Sequence, residues 1–261
     1  MQDRPEYLEK KRFFSQLMTL YGRKPVLESL KNPSLNIYRL HLAQSNKQAG
    51  IINEIITLAK QHHIEIQYHD RQQLSRISKN GKQDQGVCID ILCPQHNHYH
   101  DFLRTADNTA QIRLLALDRI TNPQNLGMII RSACAGTIDG ILLADKGNAK
   151  LDALVIKASA GTLFKAPLLH CTDLGEALNR CKDHGATVYG LSSHAKYSIN
   201  DPLNDRFIIY VLGNETEGMS KDITAVCDRT ISIPMRNQVE SLNVAVTASL
   251  LAFKDVLQMK S

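Results

Sequence analysis

Three polar segments in the second half of this 261-residue chain carry side chains suited to chemistry. The first is Asp118-Arg119-Ile120-Thr121-Asn122-Pro123-Gln124-Asn125-Leu126-Gly127, and it runs into an apolar stretch holding one charge, Arg131. Asn125 is placed to cap a helix, whose free N–H groups would face an anion or a ribose. Gly127 admits close approach of a backbone or a ligand. Arg131, inside Met128-Ile129-Ile130-Arg131-Ser132-Ala133, must be ion-paired or face a cleft, because an unpaired charge is costly to bury. The second segment, Gly213-Asn214-Glu215-Thr216-Glu217-Gly218, brackets two carboxylates with glycines. Such a pair binds a cation, does acid–base work, or simply forms a turn before a helix. The third runs from Ile233-Pro234-Met235 to Glu240-Ser241-Leu242-Asn243, with Ser241 as N-cap of the last helix and Asn243 in its first turn. Each segment alone reads equally well as a cap or a turn. Together they favour a ligand site at the carboxyl ends of strands.

The elements that must position these segments alternate. Strands are predicted at 114–117, 140–144, 168–170, 187–191, 207–212 and 230–233. Helices are predicted at 126–135, 149–160, 174–184, 221–227 and 242–258. The run Phe207-Ile208-Ile209-Tyr210-Val211-Leu212 is continuously apolar, as a strand covered on both faces requires. This pattern predicts an α/β domain with a mostly parallel sheet over residues 112–261. Residues 1–93 predict a smaller α+β domain behind a basic, partly helical lead-in at 1–20. Its strands are expected at 37–42, 64–68 and 86–92, and its helices near 25–30, 49–60 and 71–77. The polar stretch 94–111 is expected to be a linker. Within it His96, His98 and His100 alternate, but no carboxylate or thiol completes a metal set, so no metal is expected.

Composition excludes several classes. With 43% apolar and 22% charged residues the chain is globular rather than disordered. It has no apolar run long enough for a membrane span, and the charged stretch 1–11 does not read as a secretory signal, so a cytoplasmic location is expected. The six cysteines lack Cys-x-x-Cys spacing and read as buried or idle thiols. There is no Trp, and Phe and Tyr total 14, which argues against an aromatic base-stacking platform. Residues 1–110 hold 15 Lys+Arg against 11 Asp+Glu, a bias that suits a polyanion partner. Glycine-rich dinucleotide and phosphate loops, His-Glu-x-x-His and Gly-x-Ser-x-Gly are all absent.

Asn125-x-Gly127-x-x-x-Arg131, Gly213-x-Glu215-x-x-Gly218 and Ile233-Pro234-Met235 with Glu240-Ser241-Leu242-Asn243-Val244-Ala245 resemble, in order, the three motifs of the SpoU/TrmH family of SPOUT RNA methyltransferases. Lys157-Ala158-Ser159-Ala160-Gly161 is also similar to a family stretch. Near the front, Gly22-Arg23-Lys24-Pro25-Val26-Leu27-Glu28-Ser29-Leu30 and Gln85-Gly86-Val87 resemble the L30e-like substrate-binding domain of bacterial ribosomal RNA guanosine 2′-O-methyltransferases. Pro25 and Asp84 depart from the residues usual there. The resemblance implies a C-terminal trefoil knot, S-adenosylmethionine as methyl donor, an RNA substrate and a homodimer formed through the C-terminal domain. It implies that Gly213, Ile233 and Leu242 hold the cofactor, that Ser241 and Asn243 shape the site, and that Arg131, with Asn125 and Glu215, serves catalysis. An arginine keeps its proton under ordinary conditions, so Arg131 is read as stabilising a developing alkoxide rather than as the base. Three alternatives stay open at this stage. They are the same chemistry on transfer RNA, a non-catalytic knotted ribosome-assembly factor, and a metal-dependent hydrolase using Glu215, Glu217 and the histidine run.

Overall fold

The computed structural model describes residues 10, 13–107, 109–193, 195 and 197–258. The chain divides after Pro94 into two compact units, Met1–Pro94 and Gln95–Ser261.

The first unit is a four-stranded mixed sheet of β1 (Leu17–Tyr21), β2 (Asn36–Ala43), β3 (Glu65–His69) and β4 (Val87–Leu92). The order is β1-β4-β2-β3, with β2 and β3 parallel and the other pairs antiparallel. The helices are α1 (Arg23–Leu30), α2 (Ile51–Gln61) and α3 (Arg71–Ser78). Helix α2 buries Ile52, Ile55, Ile56 and Ala59, one stripe at helical spacing. Asp70 and Gln73 form a reciprocal capping box at the start of α3. The lead-in is helical at 13–15 and then enters β1, a strand the sequence reading did not foresee; residues 1–9 lie outside the described part. A hydrogen-bonded row crosses the sheet. Thr19 Oγ1 donates to Asp90 Oδ1 at 2.6 Å, Asp90 Oδ2 pairs with His41 Nε2 at 3.0 Å, and His41 Nδ1 meets His69 Nε2 at 2.9 Å.

The second unit is an all-parallel sheet flanked by helices. Its strands are β5 (Asn97–His98), β6 (Ile112–Leu117), β7 (Gly140–Ala144), β8 (Leu168–Cys171), β9 (Ala186–Leu191), β10 (Tyr197–Ser198), β11 (Phe207–Leu212) and β12 (Arg229–Ser232), in the order β10-β12-β9-β11-β6-β7-β8-β5. The helices are α4 (Tyr99–Thr105), α5 (Pro123–Ala135), α6 (Ala153–Ala158), α7 (Leu174–Asp183), α8 (Lys221–Val226) and α9 (Val244–Gln258). Every residue of β6 and β11 is buried, as their apolar runs require. These two strands are neighbours, while the chain leaves β6 toward β7 on the far side. Their carboxyl ends therefore flank the point where strand order reverses, the place where open parallel sheets bind ligands.

The stretch 94–111 is not a free linker. From Gln95 on it belongs to the second unit, as edge strand β5 and helix α4, whose Tyr99 and Leu103 are buried in the core beside Leu169 and Cys171. The three histidines do not share an extended face: His98 ends β5 and His100 lies in α4. His96 is buried and bonds through Nε2 to the Leu163 carbonyl at 2.9 Å, with desolvation pulling its pKa down to about 4. Among the described residues no group of three His, Cys, Asp or Glu side chains forms a metal site. No helix among them is long and apolar enough to cross a membrane.

Candidate active site

The loops leaving β6 and β11 and the segment after β12 close around one place. The chain leaving β6 reaches α5 through Asn122-Pro123. Asn122, not Asn125, caps this helix, taking the N–H of Gln124 at 2.8 Å, and Pro123 fills the first turn, where its missing donor costs nothing. That shift frees the Asn125 amide. Asn125 is 6% exposed, and its Nδ2 donates to Glu215 Oε1 in a short hydrogen bond. Its Oδ1 accepts from Asn243 Nδ2 at 3.1 Å. One amide thus ties the first segment to the second and to the third. A neutral amide can do this, since it offers a donor to the carboxylate and an acceptor to the second amide, whereas a carboxylate offers acceptors alone.

In the third segment the helix start shifts by two residues. Helix α9 starts at Val244, and Asn243 is its cap, accepting the Ala245 N–H at 2.8 Å. Ser241 is therefore not the cap, and Asn243 does not lie inside the first turn. Ser241 is exposed in the loop before it.

Gly127 serves packing: a Cβ there would stand 2.5 Å from the Ala158 Cβ and 2.8 Å from the Val155 carbonyl, so α5 and α6 approach backbone to side chain. Gly213 serves the loop: a Cβ there would lie 2.3 Å from the Gly218 carbonyl carbon. The turn it permits is closed by a pair of backbone bonds, Asn214 N to Gly218 O at 3.0 Å and Gly218 N to Asn214 O at 2.9 Å.

Beside this turn lies a cavity of about 580 Å³, within the range of small-molecule sites. Gly213, Ile233, Ser241 and Leu242 line it together with Glu215. Leu191, Ile231, Met219 and Met235 add apolar wall, and Glu217 and Glu240 add carboxylates. Asn125 and Asn243 are not among its lining residues but hold the Glu215 side chain at its edge. The sequence reading missed the wall from the end of β9, Leu191 to Ser193, because no polar motif marks it; only its pairing with β11 and β12 brings it here.

Arg131 stands apart. It is neither buried, nor ion-paired, nor in the cavity wall: among the described residues it is exposed and has no side-chain partner. Helix α5 buries Leu126, Ile129, Ile130 and Ala133, which leaves Met128, Arg131 and Ala135 on one outward stripe. Met128, part of the apolar stretch around Arg131, is 41% exposed. Burial raises Cys88, Cys93, Cys171 and Cys181 to about 12 and Cys227 to about 11, so all five stay protonated.

Fold and site together define an α/β protein with a cavity of small-molecule size among the loops at the switch point of a parallel sheet, and with an amide–carboxylate network centred on the buried Asn125 at its rim. Residues 113–253 match the SpoU rRNA Methylase family, and residues 19–95 match the RNA 2′-O ribose methyltransferase substrate-binding family. YacO of Bacillus subtilis, whose name places it among TrmH family tRNA/rRNA methyltransferases, is 31% identical over 234 residues, spanning 89% of this chain and 92% of its own. An uncharacterized tRNA/rRNA methyltransferase of Mycobacterium ulcerans is 32% identical over 237 residues, 89% of this chain and 74% of that one. The fold is also similar to that of the SpoU methyltransferase AviRb from Streptomyces viridochromogenes in complex with AdoMet, with TM-score 0.61, 21% identity, and coverage of 98% of this chain and 94% of that one. The chain belongs to the SpoU rRNA methylase family and is an RNA ribose-2′-O-methyltransferase by class.

Proposed function

We propose that this enzyme methylates the ribose 2′-hydroxyl of a guanosine in ribosomal RNA, with S-adenosylmethionine as donor. The observation that carries the reading is the Glu215–Asn125–Asn243 network, which gathers three loops at the rim of one cavity. The cavity suits the cofactor by its chemistry. Its volume accepts a nucleoside-sized group, Leu191, Ile231, Ile233 and Leu242 offer apolar wall to a base, and the loop backbone at Gly213 can approach closely because no side chain intervenes. Gly213, Ile233 and Leu242 would hold it, with Ser241 shaping the opening. When bound, S-adenosylmethionine supplies a methyl group on a sulfonium, ready for in-line attack by an oxygen.

The protein's own task is then positioning and charge. Bringing two reactants into line removes much of the entropic barrier. Asn125 and Glu215 keep the rim rigid, and Asn243 locks it to α9. Arg131, without a side-chain partner among the described residues, is available to the hydroxyl and its phosphate, where a planar guanidinium stabilises a developing alkoxide. The chain's C-terminal helix packs back onto α5, with Ser132 Oγ and Ser249 Oγ 2.7 Å apart and Thr137 N bonded to the Ala252 carbonyl at 2.8 Å. That return across the first helix supports a knotted course. The exposed Met128 on α5 and Val246 and Leu250 on α9 support a homodimer through the C-terminal domain. The first unit, with its basic bias, would grip folded RNA through phosphates and shape. Transfer RNA is the second reading, since the names of the relatives include it.

The test is mapping of 2′-O-methyl sites in ribosomal and transfer RNA from cells with and without the gene. One ribosomal guanosine should lose its methyl group. Loss at a transfer RNA position moves the assignment to the second reading, and an unchanged map refutes both.

A further inference from the structure

We infer that Arg119 is a positioning residue for the cofactor cavity, latching the Gly213–Gly218 turn into the shape that forms the cavity wall. The inference rests on the cofactor reading given above. Arg119 follows Asp118 at the exit of β6 and holds a left-handed backbone, φ +59°, where glycine is the unstrained choice. Its guanidinium reaches two points of the turn at once. Nη1 pairs with Glu217 Oε2 at 2.5 Å, and Nη2 donates to the Gly218 carbonyl at 3.2 Å. The Arg119 carbonyl accepts from Asn214 Nδ2 at 3.0 Å. Next to it, the buried Asp118 takes the Ser220 N–H at 2.6 Å, pinning the far end of the loop.

These ties matter because the turn has little of its own. It is bracketed by glycines, residues 215–218 are exposed, and its internal ties are the two backbone bonds between Asn214 and Gly218 and the Asn214 side chain, whose Oδ1 accepts the Thr216 N–H at 2.9 Å and the Glu217 N–H at 3.3 Å; none of them holds the Glu217 carboxylate or reaches outside the turn. Glu217 and Gly218 line the cavity and Arg119 does not, so the arginine acts through them. The same turn carries Glu215 to Asn125. A flat fork with several fixed donors spans a carboxylate and a carbonyl together; the single ammonium of lysine does not.

The test is calorimetric titration of the full chain with S-adenosylmethionine, alongside hydrogen exchange of residues 214–218 without cofactor. Arg119→Gly removes the side chain and relaxes the backbone, so the fold should survive with its melting temperature within a few degrees of wild type. Its Kd should rise about tenfold and exchange at Asn214 and Gly218 should accelerate. Arg119→Lys should fall between, at about threefold. Glu217→Gln should weaken binding alone but add little to Arg119→Gly. A Kd for Arg119→Gly within twofold of wild type, or equal exchange in the two proteins, overturns the latch. A wild-type chain that binds no S-adenosylmethionine refutes the cofactor reading instead, and the exchange data still decide whether the latch exists.

Discussion

Replacing Asn125 by aspartate tests the central network. The change keeps size and shape and keeps an acceptor for Asn243, but it turns the donor that faces Glu215 into a second carboxylate. A hydrogen bond to a charged group contributes about 1.5–3 kcal/mol, and because Glu215 is exposed the lower end applies. Two carboxylates in contact with water nearby add about 1 kcal/mol of repulsion. A negative charge in the first turn of α5 returns about 0.5 kcal/mol through the helix dipole. The net cost is about 2 kcal/mol, or a melting temperature lower by roughly 4–8 °C for a domain of this size. The decisive arm is Asn125→Asp combined with Glu215→Gln, which reverses donor and acceptor while keeping both hydrogen bonds. Thermal unfolding should place the double variant within about 1 kcal/mol of wild type, an expectation that follows from coupling between touching residues. A double variant no more stable than Asn125→Asp, or a single variant as stable as wild type, refutes the idea that this amide joins the loops.

Three further outcomes are expected. If the proposed role of Arg131 on the ribose holds, Arg131→Lys should lower methyl transfer at saturating RNA and cofactor at least a hundredfold while leaving cofactor affinity unchanged in a binding titration, since Arg131 does not line the cavity. Gly213→Ala should weaken S-adenosylmethionine binding at least tenfold, since the added carbon meets the Gly218 backbone at 2.3 Å; equal affinity would refute the tight turn. His96, buried with its pKa lowered from 6.5 to about 4, binds a proton more readily unfolded than folded. The stability it confers is therefore present above pH 6.5 and is lost as the pH falls toward 4, by about 3 kcal/mol at 1.36 kcal/mol per pH unit. Urea unfolding of His96→Gln, which keeps a donor for Leu163, should show a flatter dependence on pH over that interval.

The alternation of apolar runs was enough to place most strands and helices of both units, because a strand covered on both faces, such as Phe207–Leu212, has no other stable reading. It also located three polar segments at strand ends, and their residue types resembled one family. Short edge strands escaped: β5 and β10 have two residues each and are defined only by a neighbour to pair with. The segment 94–111 looked like a linker because its polarity hid Tyr99 and Leu103, whose burial depends on β8 and α7.

What tertiary structure alone decided is who meets whom. Asn125 lies 90 residues from Glu215 and 118 from Asn243, separations at which no periodicity constrains contact. Which asparagine caps and which one bridges was equally undetermined locally, since Asn122 and Asn125 have the same capping chemistry and only Pro123 and the incoming loops separate their roles. The apolar neighbours of Arg131 imply that it is ion-paired or faces a cleft, yet the packing of α5 turns Met128, Arg131 and Ala135 outward together. Sequence sets the chemistry available at each strand end. The order of strands in the sheet, which puts β11 beside β6, turns separate loops into one site.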